Sequence, residues 1–157
     1  MNARIGVRQL PYSRGSRTIE RETIVAVIEN LDDLTSERLG QMRSANVRKV
    51  EVSDALVDSG ATGLLMPKHL IARLGLVPLR TRNAKAAGGV VSMQVYRAAR
   101  LTIQGRDCIL DVTEIGDDLP VLIGQIPLES MDWVIDRQGQ KLIGNPAHGN
   151  EQMIEVF

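Results

Sequence analysis

Hydrophobic and polar positions alternate with short periods along this chain, and the pattern predicts mostly strands. Thr23-Ile24-Val25-Ala26-Val27-Ile28 is a β-branched run ending at Asn30 and reads as a strand. Residues 31–43 set Leu31, Leu34, Leu39 and Met42 among charges, which suits a short helix, with Thr35-Ser36 as a candidate cap inside it. From Val47 the pattern turns to β. Val50 and Val52, then Ala55-Leu56-Val57, form two apolar segments parted by Ser53-Asp54, a candidate hairpin turn. A small-residue elbow, Asp58 to Gly63, follows directly. Pro67 opens a short helix, Lys68 to Leu74, closed by Gly75.

Residues 79–103 predict a long hairpin with its tip at Ala86-Ala87-Gly88-Gly89, and Leu101 to Ile115 a second one turning at Gln104-Gly105. Pro120 to Gly124 reads as a buried strand and residues 127–131 as a short helix. Trp133-Val134-Ile135 and Lys141-Leu142-Ile143 flank a turn at Arg137 to Gln140. Residues 1–21 lack periodicity, carry Arg4, Arg8, Arg14 and Arg17, and read as a mobile tail or an arm laid on a partner. Residues 22–46 form an N-terminal extension of one strand plus a short helix, and 147–157 a C-terminal tail. The fold class is mostly β, with many short strands and short helices.

Composition narrows this picture. The 157 residues are 43% hydrophobic and 24% charged, enough for one domain with a real core. Aromatics are only 3% (Tyr12, Tyr96, Trp133 and Phe157), so the core must come from Val, Ile, Leu, Met and Ala. No apolar run reaches the roughly 18–20 residues of a membrane span, and no signal-peptide stretch is present, so no membrane partner and a cytoplasmic location are expected. Nineteen basic residues balance nineteen acidic ones, which speaks against a nucleic-acid partner. Cys108 has no second cysteine to pair with, and with His69 and His148 it makes no zinc spacing, so no metal is expected. Cys108 reads as packed, His69 and His148 as solvated or capping, and Asp117-Asp118 as a solvated loop.

Chemistry concentrates in Asp58-Ser59-Gly60-Ala61-Thr62. A carboxylate at the end of an apolar strand is costly to bury without compensation. Here a hydroxyl and a glycine follow it. The glycine permits a sharp turn and can aim its N–H at the carboxylate. Ser59 as a hydrolase nucleophile is disfavoured, because Val57 stands where a Gly-x-Ser-x-Gly elbow needs glycine. Taken alone, Asp-Ser-Gly is also a common surface turn.

With its companions the loop says more. Asp58-Ser59-Gly60-Ala61, the glycine tip at Gly88-Gly89, Leu122-Ile123-Gly124 and the trailing Leu142-Ile143-Gly144 occur in that order, with Gly124 lying 66 residues after Asp58. Across roughly residues 47–146 the chain resembles the retropepsin-like aspartic proteases, specifically bacterial single-domain members. The resemblance implies an acid-protease β-barrel with a flap hairpin and one catalytic Asp loop per subunit, hence an endopeptidase active as a homodimer. It implies that Asp58 and its twofold mate share one proton and activate a water that attacks a peptide bond. It further implies that Ser59, Gly60, Ala61 and Thr62 support the catalytic loop. Ala86, Ala87, Gly88, Gly89 and Val90 would form the substrate-covering flap, and Leu122, Ile123 and Gly124 would back the pocket. The implied partners are a second copy and a peptide or protein substrate, with no cofactor. Gln125 stands where viral members often carry a charged residue that supports the dimer. A peptide-binding or dimerisation module that does not cut is the alternative on the same fold.

Overall fold

A computed structural model describes residues 3–4, 6–14, 17–136, 141–154 and 156, with side chains from Thr23 onward. In chain order the strands are β1 (Ala3–Arg4), β2 (Gly6–Arg14), β3 (Arg17–Asn30), β4 (Lys49–Val57), β5 (Leu64–Pro67), β6 (Val77–Ala86), β7 (Gly89–Ile103), β8 (Arg106–Ile115), β9 (Leu122–Ile123), β10 (Trp133–Asp136) and β11 (Lys141–Gly144). Three short helices interrupt them: α1 (Leu31–Arg38), α2 (Lys68–Leu74) and α3 (Gln125–Ser130). The fold is mostly β, as the periodicity predicts.

The main sheet runs β2-β3-β4-β9-β5-β8-β7-β6, and β3 also pairs with β7. That extra pairing, Val27–Asn30 against Ala99–Thr102, closes the strands from β3 round to β7 into a six-stranded barrel. Closure gives every strand in the ring a partner on each side for at least part of its length. Two ribbons project beyond it, β2–β3 and β6–β7. Alternation on the barrel strands fills the interior: Ile24, Ala26 and Ile28 from β3 meet Ala99, Leu101 and Ile103 from β7, with Leu64, Met66 and Ile123 between. Burying one such aliphatic side chain contributes about 1.5–3 kcal/mol. Among the described residues, no helix is long and apolar enough to cross a membrane.

Several local expectations hold for physical reasons that can be read from the backbone. Gly75 ends α2 in the left-handed region (φ 62), where a side chain is strained. Gln104 and Gly105 both take positive φ (48 and 78), the mirror-image turn that suits a two-residue hairpin. Ala86 pairs with Gly89 across the other tip.

Other expectations need correction. Residues 3–4 and 6–14 are strands, and β2 pairs with β3 from Gly6–Thr23 to Arg14–Arg17, where the pattern suggests an aperiodic tail. Main-chain pairing, which does not need side-chain periodicity, accounts for the difference. Ser53-Asp54 is a β-bulge inside β4 rather than a hairpin turn. Ile24 faces Ala55 and Ala26 faces Val52, so two residues on β4 oppose Val25 alone. Helix α1 stops at Arg38, and its cap is Asn30, whose side chain accepts from the Asp33 N–H at 3.0 Å. Helix α3 begins at Gln125, earlier than expected, and only Leu122–Ile123 of the 120–124 segment is strand, with the Val121 carbonyl accepting from the Leu56 N–H at 2.8 Å. The turn expected at Arg137 to Gln140 lies outside the described residues. Strands β10 and β11 on either side of it pair antiparallel.

Candidate active site

The Asp58 loop leaves the barrel at the end of β4, where Ala55, Leu56 and Val57 are all buried. What holds it is the crossing of strands next to it. β9 runs parallel to β4 (Leu56 opposite Leu122, Val57 opposite Ile123) and antiparallel to β5 (Leu64 opposite Ile123). The chain therefore leaves β4, turns through residues 58–63 into β5, and later threads β9 between the two strands that flank the loop. The Asp58 N–H donates to the Ile123 carbonyl at 2.9 Å, continuing the ladder to the carboxylate-bearing residue itself.

Beyond Asp58 the loop turns back on its own backbone. The Ala61 N–H donates to the Asp58 carbonyl at 3.0 Å, and the Gly60 N–H donates to Asp58 Oδ1 at 2.9 Å. Three successive carbonyls then point the other way. Ala61, Thr62 and Gly63 accept from the N–H groups of Gln125, Ile126 and Gly124, each at 2.9 Å. These donors open α3 and would otherwise lack partners at a helix start. The loop thus caps the helix, and the helix fixes the loop.

Gly124 is what allows this approach. A Cβ there would lie 2.5 Å from the Ala61 carbonyl oxygen and 2.7 Å from that of Gly63. Its backbone is extended (φ −92, ψ −169), so the requirement for glycine is steric and not conformational. Asp58 is half-buried, Ser59, Gly60 and Thr62 are exposed, and Ala61 is intermediate. Leu122 is partly covered and Ile123 fully buried, so Ile123 backs the loop from inside the barrel.

Ala86, Ala87, Gly88, Gly89 and Val90 form the tip of the β6–β7 ribbon, a separate element in which residues 85–92 are exposed throughout. The structure brings residues 58–62 together with 122–124, and it sets 86–90 at the end of that ribbon.

Sequence reasoning missed three features. Gly63 supplies the third carbonyl of the loop–helix clamp, a main-chain contribution that any residue there could make, so its identity held no signal. A second polar cluster lies beside the loop. Asp132, buried and with φ 56, accepts from Asn145 Nδ2 at 3.1 Å and the Met153 N–H at 3.1 Å, and its Oδ2 lies 2.6 Å from His148 Nδ1. The His148 hydrogen bond, foremost, holds the Asp132 carboxyl below its ordinary range. Arg106 stacks over Trp133 at 4.0 Å and donates to the carbonyls of Asp132 and Asn150. A groove of about 840 Å³, lined by Ser59, Ile126, Trp133, Val134, Met153 and Ile154 among others, runs from this cluster to the loop. Third, Asp117 accepts from the backbone N–H of His69 at 2.9 Å and so caps α2 from another loop. None of these pairings leaves a trace in local sequence. Cys108 is buried, and desolvation pushes its thiol up to about 11, in keeping with a packed side chain.

Residues 43–126 match the family model described as aspartyl protease, and the chain belongs to that family. No curated protein matches the chain. Among solved structures it is similar to the protease of simian foamy virus (mac), at 20% identity and a TM-score of 0.43 over 68% of this chain and 90% of that one. It is also similar to the EIAV protease complexed with the inhibitor HBY-793, at 16% identity and a TM-score of 0.43 over 75% of this chain and 91% of that one. These likenesses carry no residue roles to the present chain.

Proposed function

We propose that the protein is an aspartic endopeptidase active as a homodimer, with Asp58 as its catalytic residue. The observation that carries this reading is the hold on Asp58: ladder-bonded through its own N–H, with a carboxylate oxygen accepting from Gly60, on a loop clamped to α3. A carboxylate fixed in this way is oriented before substrate arrives. One chain supplies one such loop. Two copies facing across a twofold axis would bring two carboxylates together, and such a pair retains one proton between them.

In that dimer the ionised carboxylate takes a proton from a water while the water oxygen attacks the peptide carbonyl carbon. The protonated carboxyl donates to the carbonyl oxygen, giving a neutral diol. The diol collapses as a proton passes to the departing nitrogen, which breaks the C–N bond and leaves the pair with one proton again. Ser59 is the loop residue that would meet its mate. The exposed apolar side chains beside it, Ile126, Val134 and Ile154, support a face received by the second copy. Residues 86–90 would close over an extended peptide and exclude water.

The test is cleavage of an unstructured peptide mixture at mildly acidic pH, together with sedimentation of the same sample. Cleavage by a dimer, abolished in Asp58→Asn, is the expected result. Cleavage that survives Asp58→Asn overturns the assignment. A stable monomer that binds peptides without cutting them points to the non-catalytic module.

A further inference from the structure

The zero net charge of the chain is the sum of two opposed segments. Residues 59–106 contain eight Lys and Arg and no Asp or Glu, whereas residues 107–157 contain ten Asp and Glu and two Lys and Arg. Part of the basic excess is used within the barrel. Arg100 binds Glu29 at 2.8 Å, and Arg106 holds the carbonyls described above. Lys68 and Arg73 of α2 are exposed, and the β6–β7 ribbon carries the larger share of the cations that meet solvent. Arg80, Arg82 and Lys85 are all exposed on β6; Arg80 lies 3.8 Å from Asp111, and no ion pair to Arg82 or Lys85 is present among the described residues.

β6 is also the last strand of its sheet, so its outer edge has no strand partner among the described residues. Beside the cations are exposed apolar side chains: Val77 (60% accessible) and Leu79 on β6, and Val91 on β7. An open edge with alternating side chains accepts an extended chain as an added strand, through main-chain hydrogen bonds and side-chain contacts. The cations and Pro78 guard this edge against a second copy of itself, since like charges would face each other. They do not guard it against an acidic strand.

We propose that β6 is a docking strand for an extended acidic segment of a substrate protein, outside the catalytic cleft. That the docked chain is a substrate rests on the protease reading; the binding itself does not. Single-stranded nucleic acid fits less well: Val77 to Val95 contains no aromatic side chain on which bases could stack, and Tyr96, opposite Pro78, is partly buried with its hydroxyl donating to Glu114 at 2.7 Å.

The experiment uses the full chain carrying Asp58→Asn, so that no cleavage intervenes. The probe is a labelled peptide of alternating Glu and Val, compared with its Gln-for-Glu counterpart, by fluorescence anisotropy at about 0.05 M and about 0.5 M salt. The Glu peptide should bind, lose affinity at the higher salt, and lose roughly tenfold with Arg82→Glu and Lys85→Glu together. The pair Arg82→Gln and Lys85→Gln should fall between. These positions are exposed, so unchanged thermal unfolding of both variants is expected alongside. Equal binding of the Glu and Gln peptides, or unchanged affinity after charge reversal, overturns the proposal. So does an oligonucleotide that outcompetes the Glu peptide, or a change of oligomeric state on charge reversal, which would make the edge an interface between copies. If wild-type protein cleaves nothing yet the Asp58→Asn protein binds the Glu peptide as described, the protease reading fails and the docking strand stands.

Discussion

Substituting Gly124 by alanine tests the clamp that holds the candidate catalytic loop. The added methyl would meet backbone on two sides, at 2.5 Å from the Ala61 oxygen and 2.7 Å from the Gly63 oxygen, with no flexible side chain to yield. Either loop or helix must shift by about an ångström to reach ordinary contact. Overpacking of this kind costs about 1–3 kcal/mol. The same displacement strains the three 2.9 Å hydrogen bonds from Gly124, Gln125 and Ile126, each contributing about 0.5–1.5 kcal/mol. Losing one or two of them brings the total to about 2–5 kcal/mol, a large share of a typical 5–15 kcal/mol. For a chain of this size a loss of ~3 kcal/mol lowers Tm by about 6–12 °C. Chemical denaturation is the assay, with Gly63→Ala as the control. A Cβ at Gly63 meets nothing within 4 Å, so that variant should stay within about 0.5 kcal/mol of wild type or gain slightly. Because Ala61 lies three residues from Asp58, Gly124→Ala should also depress any peptidase activity at temperatures where it remains folded. A Gly124→Ala protein as stable as Gly63→Ala would refute the steric reasoning.

Two further outcomes concern acid. The buried Asp33 carboxylate takes a bidentate pair from Arg48 (2.8 and 2.9 Å) and the Arg48 backbone N–H, and the Arg48 hydrogen bond holds its carboxyl below the ordinary range. Its folded value lies below its unfolded one, so its stabilisation is full above the unfolded value near pH 4 and fades as pH falls through the folded one. Asp33→Asn should therefore cost about 1.5–3 kcal/mol at neutral pH and progressively less below about pH 4, as read from Tm against pH. A cost that stays constant down to pH 2.5 would contradict this. The Asp132 carboxyl, also depressed, anchors residues 145–153 with the same sign of pH dependence. The protection factor of the Met153 amide, its exchange rate relative to an unstructured amide at the same pH, should be high at neutral pH, fall in acid, and be low at every pH in Asp132→Asn; equal protection in both proteins would remove the anchor.

How much of this was legible beforehand depends on the range over which each cause acts. The turn at Gln104-Gly105, the end of α2 at Gly75 and the tip at Ala87-Gly88 were readable because glycine and its neighbours set φ and ψ within one or two residues. The Asp58 elbow and Leu122-Ile123-Gly124 were each visible as strings, although the reason for Gly124 was not. That reason is a carbonyl belonging to a residue 63 positions earlier, brought to 2.5 Å from where a side chain would begin. Ser53-Asp54 misled for a related cause. The pair is turn-like in isolation, and only its two neighbouring strands make it a bulge.

By itself the sequence determined where the backbone could turn, which faces were apolar, and that a carboxylate, a hydroxyl and a glycine stand together after a buried strand. The tertiary structure alone decided that β3 meets β7 to close the barrel, that β9 threads between β4 and β5, and that Asp132, His148 and Arg106 converge beside the loop. Local preferences act through a residue's own torsions and its near neighbours. Strand partners are instead chosen by register and burial across the whole chain, where many pairings share the same local preferences and one buries the core completely.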